Sequence, residues 1–130
     1  YAYAVCFDEA HSFKAKSIVK LDLQRPPGDV VVERYEFGQS CYGGDCAFVP
    51  KKGKSTGAGA AGYLITLVRD ERRAASYVEI LDAAELQKGP LARVSIPCRV
   101  PYGFHCYFLS DGPVTKKPSK KEPKSKRTSS

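Results

Sequence analysis

The chain alternates short apolar runs with turn-forming residues along most of its length. Eight runs rich in Val, Ile, Tyr and Phe predict β-strands, and several of them alternate apolar with polar positions. The predicted strands cover residues 2–7, 17–23, 30–37, 46–50, 63–69, 77–82, 91–96 and 104–110. One helical turn is predicted at 82–86, which is too short to form alone. Strands at this spacing, without long helices between them, predict an antiparallel all-β protein, and a propeller, a sandwich and a barrel all fit.

Two segments of low complexity interrupt or follow the strands. Residues 51–62 are mostly Gly, Ala and Lys and predict a surface loop, whereas residues 113–130 mix Lys, Ser and Pro and predict a disordered tail. The tail holds seven Lys or Arg residues against one acid, so it carries +6 of the total charge of +7. The predicted folded domain, residues 1–112, is therefore nearly neutral. Its charge does not favour a nucleic-acid-binding domain, and we expect no specific nucleic-acid partner.

The start of the chain has its own implication. The sequence contains no Met and opens with residues typical of a strand interior. We therefore expect a truncated or processed product.

Two glycine motifs suggest nucleotide binding but lack the necessary context. Gly57, Gly59 and Gly62 match the spacing GxGxxG, yet the residues that follow predict a strand instead of the helix whose amides would meet a pyrophosphate. A phosphate-binding loop would need glycine at the position of Phe48. Neither motif supports a nucleotide site.

Five cysteines, an odd number, do not form the regular framework of a secreted disulfide-rich protein. Cys41 and Cys46 with Cys98 and Cys106 could be drawn as a zinc site, but their spacing departs from that of zinc knuckles. We expect reduced, buried thiols.

The two histidines differ in their surroundings. His11 stands between strand segments near two acids and receives no role. His105 follows Pro101 and Gly103 and opens a predicted strand, in which alternation would put it on the same face as Tyr107. A histidine there could project into a cleft, although these residues alone favour a structural histidine.

Arg99 to His105, which read Arg-Val-Pro-Tyr-Gly-Phe-His, resemble the C-terminal motif of the carotenoid cleavage oxygenases, particularly the 9-cis-epoxycarotenoid dioxygenases. Upstream, Gly44 to Pro50 resemble the family's Glu-(Ala/Pro)-x-Phe-Val-Pro segment, with Asp45 where the family usually has Glu. Residues 62–71, 76–83 and 91–94 continue in the family's order, so the resemblance covers roughly residues 1–110.

The resemblance implies a seven-bladed β-propeller, of which this chain would be the C-terminal portion of about two blades. It also implies ferrous iron (Fe²⁺) on the propeller axis, held by four histidines, the last of which maps to His105. Asp45 maps to an acid that orients a ligand histidine, and its shorter side chain would lengthen that contact. Tyr102, Phe104 and Phe108 are expected as substrate-wall or support residues.

The implied reaction inserts O₂ across a double bond of a carotenoid or apocarotenoid and gives two carbonyl products. Plastid localisation and peripheral membrane contact of the intact enzyme are further expectations of the resemblance. With one ligand histidine of four, we expect the chain alone to be inactive and to aggregate or stay partly unfolded. The alternative is a non-catalytic β-rich binding module whose basic tail contacts polyanions.

Overall fold

The computed structural model describes residues 1–52 and 61–109, and for residues 11 and 12 the backbone alone. These residues form seven strands and one single-turn 3₁₀ helix, which confirms the all-β prediction. The elements are β1 (Ala2–Asp8), β2 (His11–Leu21), β3 (Val31–Glu36), β4 (Cys41–Pro50), β5 (Gly62–Asp70), β6 (Ala75–Asp82), the 3₁₀ helix (Leu86–Lys88) and β7 (Pro90–Ile96). In the part of the chain described, no helix is long and apolar enough to cross a bilayer.

The strands form two antiparallel meanders. The first meander contains β1, β2 and β3, with β2 in the middle, and the second runs from β4 through β5 and β6 to β7. A bridge between Ala15 of β2 and Gly43 of β4 joins them into one hydrogen-bonded sheet. The two meanders also face each other, because the Tyr3 ring stacks on Phe48 with centroids 6.1 Å apart and its hydroxyl donates to the carbonyl of Ala83 at 2.7 Å.

The core lies between the two meanders and follows the period of two that strands require. Along β5, Leu64, Thr66 and Val68 are buried and the residues between them are more exposed. Residues from both meanders and the 3₁₀ helix complete this core, which contains Ala15, Ile18, Phe37, Cys41, Leu64, Val68, Leu81, Ala83 and Leu86. The second meander therefore has one covered face, and β4 at its edge leads towards His105.

Seven of the eight predicted strands are confirmed, with the largest boundary errors at β2 and β4. Gly43 and Gly44 lie outside the strand predicted at 46–50, yet both lie inside β4, which begins at Cys41. A Cβ at Gly43 would lie 2.3 Å from the Phe37 ring, and one at Gly44 would lie 3.2 Å from the carbonyl oxygen of Gly103. These glycines allow close packing, and neither of them ends a strand.

The predicted strand at 104–110 is wrong over residues 104–109, which have no regular secondary structure, and Ser110 lies outside the described residues. Alternating aromatic residues favour a strand only where a neighbouring strand accepts its backbone hydrogen bonds, and no such ladder forms here within residues 1–52 and 61–109. The expected shared face of His105 and Tyr107 is lost with it.

The predicted helical turn at 82–86 is also misplaced, because Asp82 ends β6 and its side chain accepts the amide of Ala84 at 2.9 Å. That side-chain contact forms a turn at 83–84, and the 3₁₀ helix begins only at Leu86. Most of the predicted loop at 51–62 and the whole predicted tail at 113–130 lie outside the described residues. The strand predicted after the GxGxxG spacing is present as β5, which begins at Gly62.

Candidate metal-ligand site

His105 lies on a segment that follows β7, residues 97–109, which we call the His105 segment. Its side chain is 83% exposed, and its ring meets the edge of Phe104 with centroids 4.9 Å apart and planes at 84°. The segment crosses the start of β4, where the backbone of Gly103 lies against Gly44. Its imidazole is therefore displayed at the surface of the described residues.

Asp45 is brought next to His105 by an irregularity in β4. The register between β4 and β5 shifts between Gly43 and Cys46, which frees the intervening residues from the regular ladder. The Asp45 carboxylate accepts the backbone amide of Cys46 at 2.8 Å through Oδ1 and that of Cys106 at 3.4 Å through Oδ2. Oδ2 also lies 3.7 Å from Nδ1 of His105. One carboxylate thus joins β4 to the His105 segment.

The geometry of Asp45 and His105 bears on whether the imidazole can bind a metal. A separation of 3.7 Å is longer than a direct hydrogen bond, in keeping with the short Asp side chain. The carboxylate lies on the Nδ1 side of the ring, so Nε2 is the ring nitrogen left for a metal. The pair therefore fits a ligand histidine with its supporting acid.

This pair supplies only one ligand. Across residues 1–52 and 61–109, no group of three or more His, Cys, Asp or Glu side chains could hold a metal ion. The full sequence has one other histidine, His11, so a site of four histidines would need imidazoles from outside this chain. In an iron centre, this chain would supply the His105 imidazole as a ligand and the Asp45 carboxylate that supports it.

An apolar groove of about 530 Å³ lies beside the pair. One wall is the outer half of β4 and the other is the His105 segment, and the lining residues are Cys46, Ala47, Phe48, Val49, Pro50, Cys106, Tyr107 and Phe108. Its volume lies within the range of small-molecule pockets, and its walls are mostly apolar. Such a groove can accept an apolar chain next to His105.

The three predicted wall residues lie in different places. Phe108 lines the groove and is 44% exposed, whereas Phe104 is 63% exposed and packs on the ring of His105. Tyr102 is turned towards the other end of β4, where its ring meets Tyr42 at 6.3 Å and 87°. Its hydroxyl donates a short hydrogen bond to Glu71 Oε1. The structure brings Phe108, but not Tyr102, to the groove.

All five cysteines are free, in line with the prediction of reduced thiols, but the predicted burial holds for Cys41 alone, since Cys98 is exposed and Cys6, Cys46 and Cys106 are half-buried. Burial is the main cause that raises the pKa of Cys46 to about 12, and the negative charges of Asp45 and of a Cys106 thiolate add to it. Burial and then Asp45 also raise the pKa of Cys106. Both thiols beside the groove therefore stay protonated near neutral pH and are poor metal ligands.

Sequence reasoning missed two polar clusters. Glu79 of β6 is fully buried, where it accepts the hydroxyl of Tyr35 at 3.0 Å and contacts the guanidinium of Arg93. Burial and then the Glu79 carboxylate raise the pKa of the Tyr35 hydroxyl. The signal was present, because Glu79 stands two residues before Leu81 on the inward face of β6. The second cluster joins Lys14 to Glu71, which are 57 residues apart, and no local pattern connects them.

The fold and this site define an all-β protein with a histidine–carboxylate pair at the rim of an apolar groove. Residues 1–110 match the model of the RPE65 family, described as retinal pigment epithelial membrane protein. The chain belongs to this family of carotenoid cleavage oxygenases, which confirms the resemblance found in the sequence.

Three relatives are named as carotenoid dioxygenases. The chain is 38% identical over 100 residues to a chromoplastic zeaxanthin 7,8(7',8')-cleavage dioxygenase of Crocus sativus, covering 75% of this chain and 27% of that protein. A carotenoid 9,10(9',10')-cleavage dioxygenase of Crocus sativus is 34% identical over 120 residues, covering 85% of this chain and 22% of the relative. A chloroplastic 9-cis-epoxycarotenoid dioxygenase of Oryza sativa subsp. japonica is 35% identical over 97 residues, covering 74% and 17%. The chain thus spans about a quarter or less of these relatives.

Proposed function

We propose that this chain provides the last iron-binding imidazole, His105, of a dioxygenase that cleaves carotenoids or apocarotenoids. The observation that carries the proposal is the Asp45–His105 pair, 3.7 Å apart, at the rim of an apolar groove. The names of the relatives, which are carotenoid-cleaving dioxygenases, support the substrate class. The proposed architecture is a part of a seven-bladed propeller, and the four strands of the second meander have the size and order of one blade.

The residues of this chain would contribute binding and orientation. Asp45 favours a proton on Nδ1 of His105 and leaves Nε2 for the metal, while Phe108 and the outer half of β4 form an apolar wall that excludes water from a polyene. Fe²⁺, when bound, would supply the site at which O₂ is activated. In the overall reaction one C=C bond and one O₂ give two C=O groups, so both oxygen atoms end in the products.

We further propose a plastid location, since several relatives carry chloroplastic or chromoplastic in their names. Peripheral contact with a membrane would give the intact protein access to an apolar substrate. These two proposals depend on the carotenoid substrate and would be abandoned with it.

The test uses the intact protein that carries this chain, purified with Fe²⁺ and given zeaxanthin in detergent micelles under air. We expect aldehyde products by mass spectrometry and one iron per protein, with both lost in His105→Ala. His11→Ala is the matched control, because it removes the other histidine of the chain. Asp45→Glu should retain iron and activity, whereas Asp45→Ala should weaken iron binding about tenfold to a hundredfold. Iron content and cleavage that survive His105→Ala would overturn the proposal.

A further inference from the structure

Tyr102 lies three residues before His105 and is held by groups from distant parts of the chain. Its hydroxyl donates to Oε1 of Glu71, the residue that follows β5. The same oxygen accepts a hydrogen bond from Nζ of Lys14, in β2, at 2.6 Å. Glu71 therefore connects the His105 segment to both meanders.

The ring of Tyr102 is held as well as its hydroxyl. It packs edge to face on Tyr42 at the start of β4, and Nζ of Lys14 lies 4.7 Å from the centroid of Tyr42 and 5.3 Å from that of Tyr102. An ammonium group at these distances from two aromatic faces is attracted by both rings. Burial and then the Glu71 carboxylate raise the pKa of Tyr102, so its hydroxyl stays protonated and remains a donor.

We propose that Tyr102 is a positioning residue, which holds His105 beside Asp45 through its contacts with Glu71 and Lys14. This inference rests on the proposed function of His105 as an iron ligand. It gives Tyr102 a use different from the substrate wall suggested by the sequence. Lys14 and Glu71 act on His105 through Tyr102.

The place of Tyr102 in the chain explains why the position of His105 would depend on it. Within residues 97–109, the backbone is not held by a strand ladder, so separate contacts must define its path. After His105 the amide of Cys106 is held by Asp45, and before it the amide of Val100 is held by Ser76 Oγ at 3.1 Å. Between Val100 and His105, the Tyr102 side chain adds its hydrogen bond to Glu71. Without that hydrogen bond, the packing of the Tyr102 ring on Tyr42 and of Gly103 on Gly44 remains between Val100 and His105.

The test compares two substitutions that each remove one hydroxyl from the same segment. Tyr102→Phe removes the donor to Glu71, whereas Tyr107→Phe changes a tyrosine that is 85% exposed. In the intact protein that carries this chain, we expect Tyr102→Phe to speed amide exchange at Val100 and Cys106 about fivefold, the effect of losing one hydrogen bond of ordinary strength. Amides of β5 and β6 should keep their rates, and Tyr107→Phe should change none.

A second measurement reports the position of the imidazole itself. The ¹⁵N chemical shifts of the His105 ring give the share of the Nδ1–H form, which Asp45 favours. Tyr102→Phe should lower that share, and Tyr107→Phe should leave it unchanged. Equal ring shifts and equal exchange rates in the two variants would overturn the inference. Faster exchange throughout β5 and β6 in Tyr102→Phe would also overturn it, because Tyr102 would then stabilise the whole fold.

Glu71 allows a test by rescue. Glu71→Gln keeps an oxygen acceptor for Tyr102 but loses the ion pair with Lys14, and Glu71→Ala loses both. We expect exchange at Cys106 close to wild type in Glu71→Gln and about fivefold faster in Glu71→Ala. In the intact protein, Tyr102→Phe should weaken iron binding severalfold. If the exchange results hold but His105→Ala leaves iron bound, the proposed function fails while the role of Tyr102 in holding the His105 segment stands.

Discussion

The second meander and the His105 segment are built in opposite ways. In the meander, position follows from a repeating pattern, since alternate residues of β5 are buried and every strand has a hydrogen-bonded neighbour. In the His105 segment, position depends on a few separate contacts, among them those with Asp45, Ser76 and Glu71. A repeating pattern places each residue through many contacts at once, whereas the path of a segment held at separate points depends on each of them. His105, the proposed iron ligand, lies on the segment that is held at separate points.

The largest contrast should be in thiol reactivity, because Cys46 belongs to the meander and Cys98 to the His105 segment. Raising the pKa of Cys46 from 9.0 to about 12 lowers its thiolate fraction at pH 8 about a thousandfold. We therefore expect iodoacetamide to modify the exposed Cys98 much faster than Cys46, as followed by peptide mass spectrometry. In urea the two rates should converge, and equal rates without urea would contradict the burial of Cys46.

A cavity in the meander should be the next largest effect. Leu64 is fully buried in β5, and Leu64→Ala is expected to lower the free energy of unfolding by about 3 to 5 kcal/mol. Leu91→Ala, at a residue of β7 that is 60% exposed, should change it by less than about 0.5 kcal/mol. Urea unfolding followed by circular dichroism measures both. Similar losses in the two variants would mean that the core is not where the structure puts it.

A smaller and more local effect is expected where the His105 segment crosses β4. A Cβ at Gly44 would lie 3.2 to 3.4 Å from backbone atoms of Gly103, whereas a Cβ at Gly103 would meet nothing within 4 Å. Gly44→Ala should therefore push the segment outward at a cost of about 1 kcal/mol and speed amide exchange at Cys106. Gly103→Ala serves as the matched control and should be tolerated. A larger effect of Gly103→Ala than of Gly44→Ala would contradict the packing of the His105 segment on β4.

The smallest effect concerns acid pH and the ends of β5 and β6. Hydrogen bonds from the side chain and amide of Arg73 lower the pKa of Asp70, and those from the Ala84 amide and Lys51 lower that of Asp82. Both pKa values lie below the ordinary 3.8, so this stabilisation is complete above that value and is lost as the pH falls through the folded values. The urea midpoint should therefore drop below about pH 4.

Replacing these aspartates separates their contribution from general acid unfolding. In Asp70→Asn and Asp82→Asn, the urea midpoint should depend less steeply on pH between 5 and 3. Asp29→Asn changes an exposed side chain of the β2–β3 connection and should keep the wild-type slope. Slopes that are the same in all variants would contradict the lowered pKa values.

The sequence predicted the fold well where local pattern and tertiary environment agree. The apolar run from Tyr63 to Val68 indicated the strand β5, because its residues favour strands, whereas packing decided that its buried face is that of Leu64, Thr66 and Val68. The motif around His105 and the acid at Asp45 were also recognisable, because their resemblance to the family depends on local residues. The resemblance gave Asp45 a contact with a ligand histidine without saying which one, and the fold shows that His105, 60 positions away, is the histidine beside it.

What the sequence could not supply concerns contacts between distant residues. Phe104 to Leu109 have the composition of a strand, but a strand needs a partner for its backbone groups, and in the described residues this stretch has none. In the same way, the composition of Gly43 and Gly44 suggests a turn, whereas in the structure Phe37 and Gly103 pack against them inside β4.

By itself, the sequence determined that the chain is all-β, where most of its strands lie, and to which family it belongs. These depend on side-chain periodicity and on short motifs, which are local. Only the tertiary structure decided where the His105 segment lies, that Tyr102 joins Glu71 and Lys14, and that Asp45 holds the amides of both Cys46 and Cys106. Those contacts join residues far apart in the chain, and their geometry exists only once the two meanders have packed together.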